Sequence, residues 1–155
     1  FKKMNVEQIL VDVISETVVT MAFMEVLKKD TITPYDEHLE RLRVEILVNA
    51  PFPGEIRLVL PKSLAVLFSQ NMYSLDEQDV TIETVEDVLG EIVNIIAGRL
   101  MADILPEDQT FQLGLPLIGP DAFLETEASS HAIEFYAEET PFWVVLFGEG
   151  FQSSP

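Results

Sequence analysis

One stretch constrains the fold more than any other: residues 81–105, TIETVEDVLGEIVNIIAGRLMADIL. It is strongly apolar, but a lane of polar or small residues runs along it, formed by Asp87, Glu91, Asn94 and Gly98. Their spacings of four, three and four return to one face of an α-helix. The remaining positions are apolar and are expected in the core: Val85, Val88, Leu89, Ile92, Ile95, Ile96 and Leu100. The stretch therefore predicts a buried helix that projects a carboxylate and a carboxamide side by side.

The N-terminal segment predicts another long helix, over residues 5–29. Asn5 is the expected N-cap, with Gln8 three residues later as its capping-box partner. Lys28 and Lys29 suit the negative end of the helix dipole. Many β-branched residues make a strand the competing interpretation, but the length of the segment favours a helix.

The other segments predict strands and turns. Residues 39–49 and 55–60 alternate between apolar and polar side chains, which is typical of an antiparallel hairpin around a turn at 51–54. The rest of the chain predicts a short helix at 62–68 opened by Pro61, strands at 110–117, 132–138 and 142–148, turns at 119–120 and 139–141, and a frayed tail from 151. The expected fold class is α+β, with two long helices and a short helix packed on a mostly antiparallel sheet.

Composition narrows the possible partners and the compartment. The 155 residues include 27 acidic and nine basic side chains, and the formal charge of −18 opposes binding to nucleic acid or to an anionic membrane. The absence of cysteine excludes disulfides and thiolate metal sites, and it is typical of a reducing compartment, so we expect a cytoplasmic protein. No run reaches the roughly 18–20 apolar residues of a membrane span. The length predicts a single domain over residues 1–155.

Metal and cofactor sites are not expected in this chain. His38 and His131 are its two histidines, and each is better explained as an exposed side chain than as a zinc ligand. The sequence also has no glycine-rich loop of the kind that holds a nucleotide phosphate.

The two long helices share a spacing. Asp12, Glu16 and Val19 stand in the same relation as Asp87, Glu91 and Asn94, and strands follow each helix. This suggests a duplicated unit whose first copy has lost its amide, although three matched positions in acidic helices also arise by chance. If the duplication is real, we expect one active face per chain.

The motif Asp87-x3-Glu91-x2-Asn94, followed after 21 residues by Pro116, resembles the signature of the CheC/CheX/FliY family of chemotaxis phosphatases. With one intact motif and a degenerate first helix, the chain is most similar to the CheX members. The likeness extends over most of the chain, through the order of its elements and the segment FQLGLP after the central helix. Pro116 stands slightly closer to the motif than is usual in the family. The resemblance implies a CheC-like fold.

The resemblance also implies a function. Such a protein dephosphorylates a phosphorylated CheY-like receiver, with Asn94 orienting the attacking water and Glu91 contacting the receiver's conserved lysine. Asp87, Gly98 and Pro116 are then expected at the partner-binding surface. The Mg²⁺ ion belongs to the receiver, and a homodimer is expected. The strand edges around residues 142–147 are one candidate for pairing between chains, but the sequence pattern leaves the order of strands in the sheet open.

Two alternatives stay open at this point. The main one is a non-enzymatic adaptor or flagellar switch module that binds a regulator without hydrolysing it. The other is a ligand-binding α+β domain whose motif is accidental.

Overall fold

The computed structural model describes residues 5–30, 33–34, 36, 38–121 and 130–152. Three helices pack on one face of an antiparallel sheet of seven strands, so the expected α+β class is confirmed. The elements are α1 (Val6–Ala22), β1 (Val26–Lys29), β2 (Arg41–Ala50), β3 (Gly54–Pro61), α2 (Lys62–Tyr73), α3 (Ile82–Ile104), β4 (Gln112–Leu113), β5 (Leu117–Pro120), β6 (Ser130–Ala137) and β7 (Thr140–Phe147). Short 3₁₀ turns lie at Glu77–Asp79 and Glu149–Phe151.

Helix α3 matches the prediction closely. Thr81 is its N-cap, and the Thr81 side chain accepts a hydrogen bond of 3.1 Å from the Thr84 N–H. Most of its circumference is buried against the sheet and the other helices, through Val85, Val88, Leu89, Ile92, Val93, Ile96, Ala97, Leu100 and Met101. A helix held on so many sides is a rigid support for the few side chains that it exposes.

Helix α1 begins as predicted but ends earlier. The Asn5 side chain accepts from the Gln8 N–H at 3.1 Å, which confirms the N-cap. The helix stops at Ala22, and Phe23 takes a left-handed conformation with φ of 57°. The extension to residue 29 was wrong because apolar residues continue at helical spacing past the break, and the strand that replaces it depends on a partner far along the chain.

Strand β1 therefore takes the two lysines that were assigned to the helix end. Lys28 forms an ion pair with Glu7 on α1, and Lys29 lies 3.3 Å from a carboxylate oxygen of Glu134 on β6. Neither lysine lies in the last turn of α1, because that turn contains no basic residue. The predicted interaction with the helix dipole is thus replaced by two ion pairs.

The order of the strands is β1-β6-β7-β3-β2-β4, and β5 also pairs with β2. Strand β7 thus lies between β6 and β3, and it is not an edge. The expectation that residues 142–147 offer a free edge was wrong, because strand order is set by long-range pairing that a local pattern does not contain. Among the described strands, β1 lies at one end of the sheet and β4 with β5 at the other.

Several smaller boundaries also differ. The short helix continues to Tyr73, with Pro61 as its N-cap. The strand predicted at 110–117 is interrupted before Leu117, and the residues assigned to a turn at 119–120 lie in β5. The hairpin turn between β6 and β7 is formed by Glu138 and Glu139, and the expected frayed tail contains Phe151, whose side chain is buried.

The two halves of the chain have matching topology. In each half a long helix is followed by a sheet-edge strand and then by a hairpin, β2–β3 in the first half and β6–β7 in the second. The edge strand of each half pairs with the hairpin of the other half, β1 with β6 and β5 with β2, and β3 meets β7 in the middle. This match supports the duplication that the helix spacing suggested.

Candidate functional site

The polar lane of α3 is the part of this helix that faces solvent. Asp87, Glu91 and Asn94 are exposed, whereas the neighbouring positions Val88 and Ile92 are buried. The lane forms one side of a shallow open groove of about 630 Å³. The groove is lined by Glu86, Asp87, Gly90, Glu91, Asn94, Ile95, Pro116 and Ile118. The structure thus brings Asp87, Glu91, Asn94 and Pro116 together, as expected.

Pro116 reaches the groove because the chain between β4 and β5 crosses α3. This connection is held to the sheet by the Gly114 N–H, which donates to the Leu47 carbonyl at 2.8 Å. A Cβ atom built on Gly90 would lie 3.8 Å from the Pro116 Cβ. This is an ordinary van der Waals distance, so Pro116 lies directly over Gly90, whereas a Cβ on Gly98 would have no atom within 4 Å and faces open space.

The groove is acidic and uncompensated. Glu83, Glu86, Asp87 and Glu91 are all exposed on α3. Across the part of the chain that the structure describes, no basic side chain lies within ion-pair distance of any of the four. Asn94 adds an amide, which donates and accepts hydrogen bonds at the same time. Such a surface is suited to a cationic group and to a hydrogen-bonded water.

Glu134 shows how differently an acid behaves when the chain itself satisfies it. This carboxylate is 2% exposed and accepts hydrogen bonds from the Thr33 N–H, the Thr33 hydroxyl and the Trp143 indole at 2.8, 2.7 and 2.6 Å. Burial raises the pKa of Glu134, but these bonds and Lys29 outweigh it and hold the pKa below its ordinary value. Glu134 is a structural acid, and sequence reasoning did not single it out.

The sequence matches the family model described as chemotaxis phosphatase CheX over residues 45–138, well over half of the chain. The chain belongs to the CheX family. The matched region contains the α3 lane, the segment with Pro116, strand β3 and the second half of β2. The resemblance inferred from Asp87, Glu91 and Asn94 is therefore confirmed at the level of the family. No protein of curated function matches the sequence.

Solved structures agree with the CheX fold. CheX from Desulfovibrio desulfuricans is 20% identical, with a TM-score of 0.75 over 94% of this chain and 100% of that one. CheX from Vibrio vulnificus is 19% identical, with a TM-score of 0.73 over 93% and 99% of the two chains. A CheX–CheY–BeF₃–Mg²⁺ complex from Borrelia burgdorferi matches at 15% identity and a TM-score of 0.63 over 94% and 98%. At these identities the matches establish the fold.

The corresponding lane of α1 is occupied by contacts within the chain. The Gln8 side chain donates to Asp12 at 3.0 Å, and Arg99 of α3 forms an ion pair with Glu16. Val19, which stands in the place of the amide, is 47% exposed, and the place of Gly98 is taken by Phe23. No carboxylate–amide pair like that of the CheX motif exists on this helix.

The structure gives no reason to assign a metal site to the histidines. His38 is exposed, and His131 lies 3.7 Å from a Glu7 carboxylate oxygen while remaining exposed. Within the described ranges, no three His, Asp or Glu side chains come close enough to hold a metal ion. None of the described helices is both long and apolar enough to cross a membrane.

Sequence reasoning missed several residues around the lane. Glu86 and Ile118 line the groove, and Ile82 is exposed at the start of α3. Leu117, next to Pro116, is also exposed, but it pairs with Glu45 on the face of the sheet away from the helices. The position of Ile118 next to α3 depends on the pairing of β5 with β2, which no local pattern in the sequence reveals.

Proposed function

We propose that this CheX-family protein accelerates hydrolysis of the phosphoaspartate of a CheY-type response regulator. Asn94 orients the attacking water, and Glu91 docks on a lysine of the receiver. The observation that carries the proposal is the exposed pair of Glu91 and Asn94 on a helix whose opposite side is buried in the core. Asp87, Gly98 and Pro116 belong to the surrounding contact surface.

The chemistry suits an amide. Phosphoryl transfer depends mainly on the positioning of the nucleophile and on charge stabilisation, and little covalent chemistry is left to the protein. The Asn94 carboxamide accepts a hydrogen bond from a water and donates one to a phosphoryl oxygen, without itself taking a proton. Because α3 is packed on most sides, its backbone is held in place, and the Asn94 amide loses little conformational entropy when it enters the partner's site.

Glu91 suits docking better than direct contact with the phosphoryl group. An ionised carboxylate only accepts hydrogen bonds, and beside a phosphoryl group it would be repelled. A lysine ammonium supplies the complementary charge and up to three donors. No described cation of this chain occupies Glu91, so its carboxylate is available to a partner.

The metal in this scheme comes with the substrate. Mg²⁺ is expected in the receiver, where it neutralises the charge that develops on the phosphoryl oxygens. The chain then needs no cofactor of its own. The Borrelia burgdorferi complex, in which a CheX is found with CheY and Mg²⁺, supports this choice of partner.

A homodimer and a cytoplasmic location belong to the same proposal. The dimer does not use β7, which is hydrogen-bonded on both sides. Of the described strands, β1 and the β4–β5 side remain as edges for pairing between chains.

A non-enzymatic adaptor is the second candidate, because the same exposed lane would serve binding without hydrolysis. What favours the phosphatase is Asn94 itself. Binding alone does not need an amide at this position, and Asn is a poor residue for the middle of a helix.

The test is to follow phosphate loss from a phosphorylated CheY-type receiver with Mg²⁺, with and without the protein. We expect acceleration by the wild-type chain, and loss of at least about 100-fold of it in Asn94→Ala, since one positioning group typically contributes that much. Binding of the receiver should persist in Asn94→Ala. If the wild-type chain binds several receivers but leaves their decay unchanged, the adaptor is correct and the phosphatase is not.

A further inference from the structure

One large apolar side chain is exposed at the start of the α3 lane. Ile82, the first residue of α3, is 69% exposed. A single exposed apolar side chain is ordinary on a protein surface, so Ile82 gains its significance from the cavity beside it.

A cavity of about 500 Å³ lies between the start of α3, helix α2 and strand β5. Its walls include Val66, Val80, Val85 and Ile118, with Ile82 at the mouth. Glu86 and Ile118 line both this cavity and the groove of Asn94, so the two depressions adjoin each other. The cavity is large enough for one bulky side chain, and pockets of this kind hold the anchor residues of protein interfaces.

The charge beside the cavity favours one kind of partner. The first half of α3 carries four exposed acids, whereas the one lysine that lines the cavity, Lys62, lies 3.6 Å from a carboxylate oxygen of Glu40. A complementary surface therefore presents a basic group to the lane and an apolar side chain to the cavity. A second copy of this acidic chain fits poorly, because it would bring like charges together.

We infer that the cavity binds an apolar side chain that the receiver presents close to its lysine, and that Ile82 at the mouth of the cavity determines which receivers dock. This inference rests on the proposed function, because it takes the receiver as the partner. Glu91 and Asn94 contact features that receivers share, namely the lysine and the phosphoryl group. The cavity binds a side chain that differs among receivers, and it thereby supplies the specificity that the motif lacks.

The experiment measures KM and kcat for dephosphorylation of a phosphorylated CheY-type receiver with Mg²⁺. The first variant is Ile82→Ser. Leu27→Ser is the matched control, because Leu27 is also 69% exposed and lies on β1 at the opposite end of the sheet. We expect KM to rise roughly five- to tenfold in Ile82→Ser with kcat nearly unchanged, as for loss of an anchor contact. The control should match the wild type.

A second variant separates a cavity from a non-specific apolar surface. Val66→Phe fills the cavity from α2 and makes the site more apolar, so a non-specific apolar contact would be retained or strengthened. If the cavity receives a side chain, Val66→Phe raises KM like Ile82→Ser does. Thermal unfolding of each variant identifies any that has lost the fold.

The outcomes distinguish the inference from the proposed function. If the wild-type chain accelerates hydrolysis but Ile82→Ser and Val66→Phe both keep the KM of Leu27→Ser, the cavity is not the docking site and the phosphatase proposal stands. If Ile82→Ser instead converts a dimer into a monomer in sedimentation, the occupant is a second copy and the inference is wrong. If the wild-type chain has no phosphatase activity, direct binding to the receiver by calorimetry gives the same comparison, with a five- to tenfold rise in Kd expected.

Discussion

Helices α1 and α3 carry the same acidic spacing, but only α3 presents it to solvent unpaired. On α1, Asp12 and Glu16 are engaged by Gln8 and by Arg99 of the other helix. On α3, Glu91 has no cation among the described residues. The residue of the first half that corresponds to Arg99 is Met24, which is buried. The first half therefore has no arginine at the position from which Glu91 could be paired in the same way.

The difference lies in three side chains and in where each helix ends. Val19 stands at the position that corresponds to Asn94, and the ion pair with Arg99 makes Glu16 part of the contact between the helices. Phe23 stands at the position that corresponds to Gly98, but it follows the end of α1 with φ of 57°, whereas Gly98 lies inside α3.

The largest effect is expected from exchanging the residues at the amide position, in the double variant Asn94→Val with Val19→Asn. We expect phosphatase activity to fall at least about 100-fold, because the new amide on α1 stands beside a carboxylate held by Arg99 and next to Phe23. Phosphate release from a phosphorylated CheY-type receiver is the measurement. Activity close to that of the wild type would mean that α1 is still a competent site and that the comparison is wrong.

The second largest effect is expected at Gly98. Gly98→Phe introduces the residue type that stands at the corresponding position of the first half, Phe23, and the fold should accept it because a Cβ there meets no atom within 4 Å. We expect KM to rise tenfold or more, since the new ring stands where the receiver approaches. The reciprocal control, Phe23→Ser, should leave KM unchanged. If Gly98→Phe binds the receiver normally, the partner does not come close at this end of the lane.

A smaller difference is expected between the alanine variants of Glu91 on α3 and Glu16 on α1. Glu91→Ala should weaken binding of the receiver about tenfold, because a charge pair at the interface is lost. Glu16→Ala should leave binding unchanged and lower the free energy of unfolding by at most about 1 kcal/mol, as is usual for an exposed ion pair. Calorimetric binding and urea denaturation measure the two quantities. A normal affinity for Glu91→Ala would show that docking does not depend on this carboxylate.

The smallest effect concerns Gly90, the residue beneath Pro116. An added Cβ would make an ordinary contact with Pro116 at 3.8 Å, so Gly90→Ala should raise the free energy of unfolding by about 0.4–1 kcal/mol through better helix formation. Activity should be retained. If Gly90→Ala destabilises the protein, the segment with Pro116 packs more tightly on α3 than these distances indicate.

The sequence was sufficient for what depends on local pattern. The spacing of Asp87, Glu91 and Asn94, the cap at Asn5 and the alternation of β2 and β3 are all local, and each was found in the structure. The same local reasoning extended α1 through Val26 and Leu27, because apolar residues at helical spacing do not reveal a break at Phe23. The break is stabilised by the pairing of β1 with β6, which is not visible in the neighbourhood of either strand.

The surroundings of the site also depend on long-range strand pairing, so local patterns in the sequence did not predict them. Pro116 was expected near α3 from the family resemblance, but its contact with Gly90 depends on β4 and β5 joining β2. The cavity at Ile82 is formed by segments from four parts of the chain, and no periodicity encodes it. The pairing of Glu16 with Arg99 likewise requires the packing of α1 against α3.

The exchange of edge strands between the two halves has a consequence for how the protein is made. Val26 on β1 pairs with Ala137 on β6, a residue that is synthesised more than a hundred positions later. Until then the first helix and its hairpin lack a neighbour on that side, and neither half can complete its own sheet. Contacts of such long range slow folding, so we expect the native state to form only after the whole chain has left the ribosome. The two halves share a topology, yet each is an obligatory partner of the other.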